Sequence, residues 1–543
     1  MVFARRSTTL LAAIITSCAM VLSLTACTSD NKTVVDGQTT VTSNSAGGVA
    51  VFTPSDGITL NQQVPLNKWA KLVPDLTKAL VDAGFKKGDI NHTTSDSLDK
   101  QSRAIQDFVV DHLSNNTTDD SGIAIAPDNM TLLVAPVVEA DASTRQYGDY
   151  VSQNLSTNDV TDEGATSDGE SSEDDSSKDD SSNTESDSTA SDEQAQAVDR
   201  LVSSLKLAKE SGMHVVLLGN SIEGYKPDAF VKFSDAQTIG KLQAEKMVSK
   251  LKLDKASKDN PKYIEVLLPY TAVDEKGNAN DSTFAQEAFR GIWQVLGSYY
   301  QKGVVESPSG TLDGKSTEND WQAVAYDAAK EGSTAKVLDK RLAKTDGQST
   351  LTRIDGIITM NDYIASEVVK ELDDLGYTGS AADINPQITI SGIVGNITGK
   401  KDLSRDAVPD PIKSPENDNA NDSSSSDDDA DEDTSASDKD RDSQWPLVTG
   451  YGAYVSNIPS IVNGKQWMTG MEDRQTIATD IAQACAKLNK DEALNSMPSI
   501  RNSEVGGVKK IPTISEPLLA VSASNLKSAL IDPGYISLAD AGL

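Results

Sequence analysis

Short apolar runs alternate with amphipathic stretches along most of this chain. The runs are rich in β-branched residues, which is typical of buried strands. In the amphipathic stretches apolar residues recur every three to four positions, which predicts helices. The predicted strands are 49–52, 132–135, 214–218, 264–268, 354–359 and 388–390. The predicted helices are 67–82, 97–113, 195–211, 235–251, 284–300 and 361–375.

Apolar strands that alternate with helices predict parallel sheets covered by helices on both faces. The first helix shows the pattern clearly, since Leu72, Leu76 and Leu80 fall on one face and Gly84 follows as a stop signal. The number of strand–helix units exceeds what one doubly wound domain holds. The pattern therefore predicts the α/β class, with two doubly wound, Rossmann-like lobes.

The first 26 residues have the pattern of a targeting segment. Arg5 and Arg6 precede an apolar stretch over 9–24, which is too short for a membrane-spanning helix. The run Leu24–Cys27 matches the lipobox of bacterial lipoproteins, in which the cysteine is lipidated. An ordinary secretory signal with an incidental cysteine is the alternative. We expect a signal peptide over 1–26, lipidation of Cys27, a flexible tether over 27–47, and a location at the extracytoplasmic face of the cell membrane.

Charge is distributed unevenly. The net charge is −33, and most of it lies in two Ser/Asp-rich inserts, about 156–194 and 403–444. Their self-repulsion and lack of apolar residues predict disorder. A basic patch is absent, so the sequence does not suggest nucleic-acid binding. With Cys18 in the signal segment and Cys27 lipidated, only Cys485 remains, and no intrachain disulfide is expected.

Several short motifs occur in a fixed order. They are Asn67-Lys68-Trp69, Phe233-Ser234-Asp235 followed by 240–244, Phe289-Arg290-Gly291, Asn361-Asp362, 464–469, and the ending 511–535. In this order they resemble the type I periplasmic sugar-binding proteins, closest to the xylose and multiple-sugar-binding group. The resemblance covers nearly all of 48–543 outside the acidic inserts.

The resemblance implies two lobes joined by three hinge crossings, near Phe233, Met471 and Glu516. Lobe one would comprise 48–233 and 472–510, and lobe two 234–471 and 511–543. It also implies the function: a lipoprotein that captures a small ligand, a sugar, between the lobes and delivers it to an ABC permease. We expect a monomer without a cofactor.

The resemblance also implies the ligand contacts. Asn361 and Asp362 follow a strand, where their side chains could bond sugar hydroxyls, although either could instead cap the next helix. Trp69 could stack on a sugar ring or belong to the core. Lys68 stands where the family has an arginine, which keeps the charge and loses the planar fork.

At three further positions the chain departs from the family. Asn220 replaces an arginine that follows an aspartate, and Thr283-Phe284 replaces an Asp-Asn-Asn stretch. Tyr451 takes the place of a Gln-Asp pair, although 392–394 could fill the same position. These changes predict a less charged pocket, and they favour one alternative to transport, a surface lipoprotein that has lost ligand binding. A second alternative, a sensor lipoprotein that presents its ligand to a membrane receptor, is not distinguished from transport by the sequence.

Nothing in the sequence suggests an enzyme. His92, His112 and His214 are isolated and have no metal-ligand spacing. The sequence contains no phosphate-binding glycine loop and no Gly-x-Ser-x-Gly elbow. Cys485 lies between two alanines of a predicted helix, a position more typical of core than of a nucleophile.

Overall fold

The computed structural model describes most of the chain in two separate units. The described residues are 33–35, 38–40, 46–55, 65–115, 125–138, 145–150, 153–156, 185–273, 280–328, 330–343, 351–382 and 444–543. Residues 1–44 form one unit and 45–543 the other. Within the first unit, β1 (Thr33–Val35) pairs antiparallel with β2 (Gln38–Thr40). The predicted tether over 27–47 is therefore not irregular throughout, because these β-branched residues pair as strands.

The second unit alternates strands and helices from its start. Up to residue 235 the elements are β3 (Gly48–Pro54), α1 (Trp69–Asp82), β4 (Ile90–Ser95), α2 (Leu98–Asn115), β5 (Met130–Val134), β6 (Asn154–Leu155), α3 (Glu185–Glu210), β7 (His214–Leu218), β8 (Ser221–Ile222) and β9 (Ala229–Lys232).

The pattern continues to the end of the chain. The remaining elements are α4 (Ala236–Leu251), β10 (Lys262–Val266), β11 (Leu268–Pro269), α5 (Thr283–Gln301), β12 (Val305–Glu306), β13 (Ala325–Tyr326), α6 (Ser333–Arg341), β14 (Gly356–Ile358), α7 (Asp362–Leu375), β15 (Leu447–Tyr451), α8 (Ile458–Val462), β16 (Met468–Met471), α9 (Arg474–Leu488), β17 (Ile500–Val505), β18 (Val508–Ser515) and β19 (Leu519–Ser522).

Lobe one is built on a seven-stranded sheet in the order β17-β18-β9-β7-β5-β3-β4. All neighbours are parallel except the β17–β18 hairpin. Successive side chains of a strand point to opposite faces of the sheet, so the core of this lobe has two layers. Val49 and Val51 point to the face that α1 and α9 cover. Ala50 and Phe52 point to the face that α2 and α3 cover. Burial on both faces explains why these strands are continuously apolar.

Lobe two is built on a six-stranded sheet in the order β12-β10-β14-β15-β16-β19, parallel except for β16–β19. Helices α4 and α5 pack closely against each other because glycines lie at their contact. A Cβ on Gly291 would lie 2.0 Å from the backbone oxygen of Gln237, and one on Gly240 would lie 2.2 Å from that of Ala288. The sequence motifs at 240–244 and 289–291 therefore specify this helix contact.

The chain crosses between the two sheets three times. The crossings lie between β9 and α4, between β16 and α9, and between β18 and β19. Two doubly wound lobes with three crossings confirm the predicted fold class. The last crossing lies at 516–518, near Glu516 as expected, and residues 511–515 belong to the sheet of lobe one because β18 pairs with β9 as far as Ser515.

Two other details differ from the predicted elements. Helix α3 begins at Glu185 rather than at 195, so the end of the first acidic insert is helical and not irregular. The strand predicted over 264–268 ends at Val266, and a separate short strand, Leu268–Pro269, pairs with β13. The strand predicted at 388–390 lies outside the described residues, as do the signal segment, Cys27 and the core of each acidic tract.

Candidate functional site

The carboxyl ends of several strands from both sheets meet beside the crossings. Two crossings are tied together there by a buried hydrogen-bond network. Glu472 accepts from the backbone N–H of Ser234 at 2.7 Å and from its hydroxyl at 2.5 Å. The Tyr451 hydroxyl lies 2.6 Å from the Ser234 hydroxyl. Burial raises the pKa of Glu472 to about 7. This network joins the end of β15 to both crossings.

The start of α1 provides Lys68 and Trp69. Lys68 is the residue before the helix, and its own side chain makes no capping bond. Instead Asp149 accepts from the backbone N–H of Trp69 at 3.0 Å and from Nζ of Lys68 at 2.7 Å. A carboxylate at a helix N-terminus satisfies an otherwise unpaired N–H and interacts favourably with the helix dipole.

The Trp69 indole is buried. It packs edge to face on Tyr150, with ring centroids 5.0 Å apart, and on Phe233, with centroids 5.7 Å apart. Of the two roles expected for Trp69, the core role describes this arrangement.

Asn220 lies in the turn after β7, where Gly219 adopts a positive φ of 71°. The Asn220 side chain is buried and uses both ends. Its amide nitrogen donates to the carbonyl oxygen of Pro136 at 2.9 Å, and its oxygen accepts from the backbone N–H of Gln153 at 2.9 Å.

Asn361 caps a helix, which was one of its two expected roles, and it also contacts the other lobe. Its side-chain oxygen accepts from the backbone N–H of Ile364 at 2.9 Å and so caps α7. Its amide nitrogen points the other way, into the space between the lobes, and donates to Oε1 of Gln146 at 3.0 Å. A cap and an interlobe contact are thus made by the same side chain.

Asp362 lies inside lobe two and makes no interlobe contact in the described part of the chain. One carboxylate oxygen accepts from Gln466 Nε2 at 2.7 Å, and the other accepts from the Thr469 hydroxyl and the Tyr454 N–H, each at 2.9 Å. Burial raises its pKa to about 6, while these bonds act in the opposite direction. The motif 464–469 therefore supplies donors to Asp362, which favours a structural role over the expected ligand contact.

The remaining interlobe residues belong to a stretch of lobe one after β5. We define the cleft segment as residues 146–150 together with Gln153. The Tyr147 ring is buried between the lobes, with centroids 4.6 Å from Phe284 and 6.2 Å from Tyr451. The Tyr454 hydroxyl donates to the Gln146 carbonyl oxygen at 2.6 Å.

Five of the six residues predicted from sequence as ligand contacts touch this cleft segment. They are Lys68, Trp69, Asn220, Asn361 and Tyr451, and Asp362 does not. The alternative to Tyr451 at 392–394 lies outside the described residues. Gln146, Tyr147 and Tyr454 were not predicted. The signal that could have found Gln146 and Tyr147 is the pair of tyrosines at 147 and 150, in an otherwise polar stretch beside an acidic tract.

Neither a metal-binding cluster nor an exposed thiol is found among the residues that the structure describes. Among the described residues no group of three His, Cys, Asp or Glu side chains could hold a metal ion. Cys485 is fully buried in lobe one, and burial raises the pKa of its thiol. In the part of the chain that the structure describes, no helix is long and apolar enough to cross a membrane.

The two doubly wound lobes and the three crossings define the type I periplasmic binding protein fold. No protein-family model matches the chain, and no curated protein matches its sequence. Solved structures that match include an ABC transporter solute-binding protein from Clostridium phytofermentans with bound β-D-glucose. It is 17% identical, the match covers 91% of this chain and 99% of that chain, and the TM-score is 0.44.

Two further matches are binding proteins as well. A carbohydrate transporter solute-binding protein from Chloroflexus aurantiacus, in complex with D-glucose, is 18% identical over 92% of this chain and 98% of that chain, with a TM-score of 0.42. An arabinose-binding protein from Geobacillus stearothermophilus is 9% identical over 89% and 99%, with a TM-score of 0.41. These matches do not single out the xylose and multiple-sugar-binding group.

Proposed function

We propose that this protein is a solute-binding lipoprotein that captures a small, uncharged sugar between its two lobes. The observation that supports this proposal is that Lys68, Trp69 and Asn220 from lobe one and Asn361 and Tyr451 from lobe two all contact the same cleft segment. These residues come from both lobes and from positions up to several hundred residues apart. Closure on a ligand requires contacts from both sides of the cleft.

The side chains around this space suit a sugar. Aromatic rings pack on the apolar C–H faces of a sugar ring, and amides bond its hydroxyl groups. Tyr451 and Phe284 offer the rings, and Asn361 offers an amide nitrogen directed into the space. Asp362, the carboxylate expected to bond hydroxyls, is used within lobe two. We therefore infer a neutral ligand held by amide and aromatic contacts.

The proposal also includes attachment of the protein to the membrane and delivery of its ligand to a permease. A lipid on Cys27 would hold the mature chain at the extracytoplasmic face of the cell membrane, since acyl chains contribute about 0.8 kcal/mol per buried CH₂. Hinge motion at the three crossings would then alternate between an open form and a closed form. The closed, monomeric form would deliver its ligand to an ABC permease.

A second candidate function is favoured by one specific observation. The cleft segment already occupies the interlobe space and contacts five of the expected ligand-binding residues. The protein could therefore be a surface lipoprotein whose cleft no longer takes a ligand. The two functions differ in one measurable property, which is specific sugar binding.

A thermal-shift screen of the purified chain against pentoses, hexoses, oligosaccharides and nucleosides tests the proposal. A ligand at 100 times its Kd adds about 2.7 kcal/mol to the free energy of unfolding. Sugars also stabilise proteins non-specifically, because they are excluded from protein surfaces. Each D-sugar is therefore compared with its L-enantiomer, for which the non-specific effect is the same.

The proposal predicts a shift for at least one D-sugar that its enantiomer does not produce, followed by saturable binding in calorimetry. Equal shifts for every enantiomeric pair, without saturable binding, would leave the second candidate as the function.

A further inference from the structure

The cleft segment is anchored firmly to lobe one. Asp149 pairs with Lys68, and its backbone N–H donates to the carbonyl oxygen of Asn67 at 2.8 Å. The Tyr150 hydroxyl donates to the carbonyl oxygen of Lys68 at 2.5 Å. Gly148 makes the close approach possible, since its φ is 96° and a Cβ there would lie 2.5 Å from the Asn67 oxygen.

The other end of the segment contacts lobe two. Gln146 bonds to Asn361 through its side chain and to Tyr454 through its carbonyl oxygen. Tyr147 is 1% exposed and packs with the lobe-two core rather than with its own lobe. A segment fixed to one lobe thus places an amide and an aromatic ring into the other.

These groups imitate a bound ligand. The Gln146 amide oxygen accepts the hydrogen bond that the Asn361 amide would otherwise donate to a sugar hydroxyl. The Tyr147 ring fills the space between Phe284 and Tyr451 that a sugar ring would need. The segment therefore competes with any ligand for the same groups.

We propose that the cleft segment is a built-in competitor that closes the two lobes without a ligand and leaves the cleft when a ligand binds. The part that concerns ligand rests on the proposed sugar-binding function. When only a fraction of the protein is competent to bind, the apparent Kd rises by the reciprocal of that fraction. A segment that leaves the cleft about 1% of the time would weaken binding on the order of 100-fold.

The test is the double substitution Gln146→Ala/Tyr147→Ala in the full chain. One spin label is placed on each lobe, at Val110→Cys and Lys336→Cys, both of which are exposed, in a chain that also carries Cys18→Ser and Cys27→Ser; the remaining thiol, Cys485, is buried. Electron-electron double resonance then measures the interlobe distance distribution. The matched control is Tyr299→Ala, which removes a tyrosine that lies outside the cleft on α5.

Without a ligand we expect a narrow distribution in the parent chain and in Tyr299→Ala. The double variant should give a shifted or broadened distribution that represents open lobes. Tyr147→Phe keeps the ring, so it should stay closed, and circular dichroism verifies that every variant is folded. If the parent chain and the double variant give the same distribution, the segment does not hold the lobes together and the proposal is wrong.

A probe specific for the vacated space gives a second measurement. p-Cresol reproduces the tyrosine side chain, and it should raise the melting temperature of Tyr147→Gly and leave the parent chain unchanged. p-Cresol is expected to bind only where the packed Tyr147 side chain has been removed. An equal change in melting temperature of both proteins would contradict the proposed position of Tyr147 between the lobes.

Sugar binding distinguishes the two proposals. If a D-sugar binds the double variant at least tenfold more tightly than the parent chain, both proposals are supported. If the double variant opens but no sugar binds either protein, the built-in competitor stands and the sugar-binding function fails. If a sugar binds both proteins equally and the lobes of the double variant do not open, the function stands and the competitor fails.

Discussion

Glu472 offers a sharp test of the hinge network, because it is a carboxyl group buried at a crossing. It is 1% exposed, and its hydrogen-bond donors are the backbone and hydroxyl of Ser234 and the hydroxyl of Tyr451. Burial raises its pKa from 4.5 to about 7, and the bonds to Ser234 oppose that rise. The substitution Glu472→Gln reproduces the shape and neutrality of the protonated acid.

The magnitude follows from the difference between the folded and unfolded pKa values. Below pH 4.5 the carboxyl is protonated in both states and carries no penalty. Between pH 4.5 and 7 the unfolded chain loses its proton first, so this group's contribution to stability falls as pH rises, and the loss is complete above pH 7. At about 1.4 kcal/mol per pKa unit, the full loss is about 3 kcal/mol.

We therefore expect Glu472→Gln to unfold with nearly the parent free energy at pH 4.5 and to exceed the parent by about 2–3 kcal/mol at pH 8. Urea denaturation followed by tryptophan fluorescence measures the difference at pH 4.5, 6, 7 and 8. The matched control is Glu492→Gln, whose carboxylate is exposed and pairs with Lys487. Because that pairing lowers the pKa of Glu492, any pH trend in the control should have the opposite direction.

One result would refute the reasoning. If Glu472→Gln destabilises the protein equally at pH 4.5 and pH 8, the carboxylate is ionised at an ordinary pKa. The network would then depend on its charge rather than on its neutral form.

Three further predictions concern the core, the helix contact and the anchor. Asp362→Ala removes the acceptor that three buried donors share, so it should lower the free energy of unfolding by about 3 kcal/mol or more. A sugar affinity that falls while stability is unchanged would restore Asp362 as a ligand contact. Gly291→Ala forces a Cβ against the Gln237 oxygen and should destabilise by about 1–3 kcal/mol in denaturation, whereas Gly314→Ala, with its nearest atom at 3.4 Å, should have little effect. Cys27→Ala should release the protein from the membrane fraction, and a variant that stays membrane-bound after its signal is cut would contradict lipidation.

The sequence alone was sufficient for the class of fold and for many of its helices and strands. Helix α7 is an example: Asn361 caps it, its apolar residues repeat with helical spacing, and Gly376 ends it in a left-handed conformation with φ of 93°. Strands such as β7 were equally clear, because four of its five residues are buried between two layers of helices. Local periodicity and capping chemistry act over a few residues, so they can be read along the chain.

The sequence also indicated which residues would gather between the lobes, although not what they would contact there. Lys68 and Asn220 contact the cleft segment from lobe one, and Asn361 and Tyr451 contact it from lobe two. The order of motifs predicted that, because it predicted the fold and therefore which strand ends meet. For Asp362 the pattern was insufficient, since a carboxylate after a strand can face the cleft or be bonded within its own lobe.

Only the tertiary structure revealed that the cleft segment lies in the space between the lobes. Asn361 and Gln146 are 215 positions apart in the chain, and no local pattern connects an amide after β14 with one in a polar loop after β5. The closeness of these groups depends on how two sheets and three crossings are assembled. Periodicity reports which face of an element is buried, whereas the partner across an interface is decided by packing between distant parts of the chain.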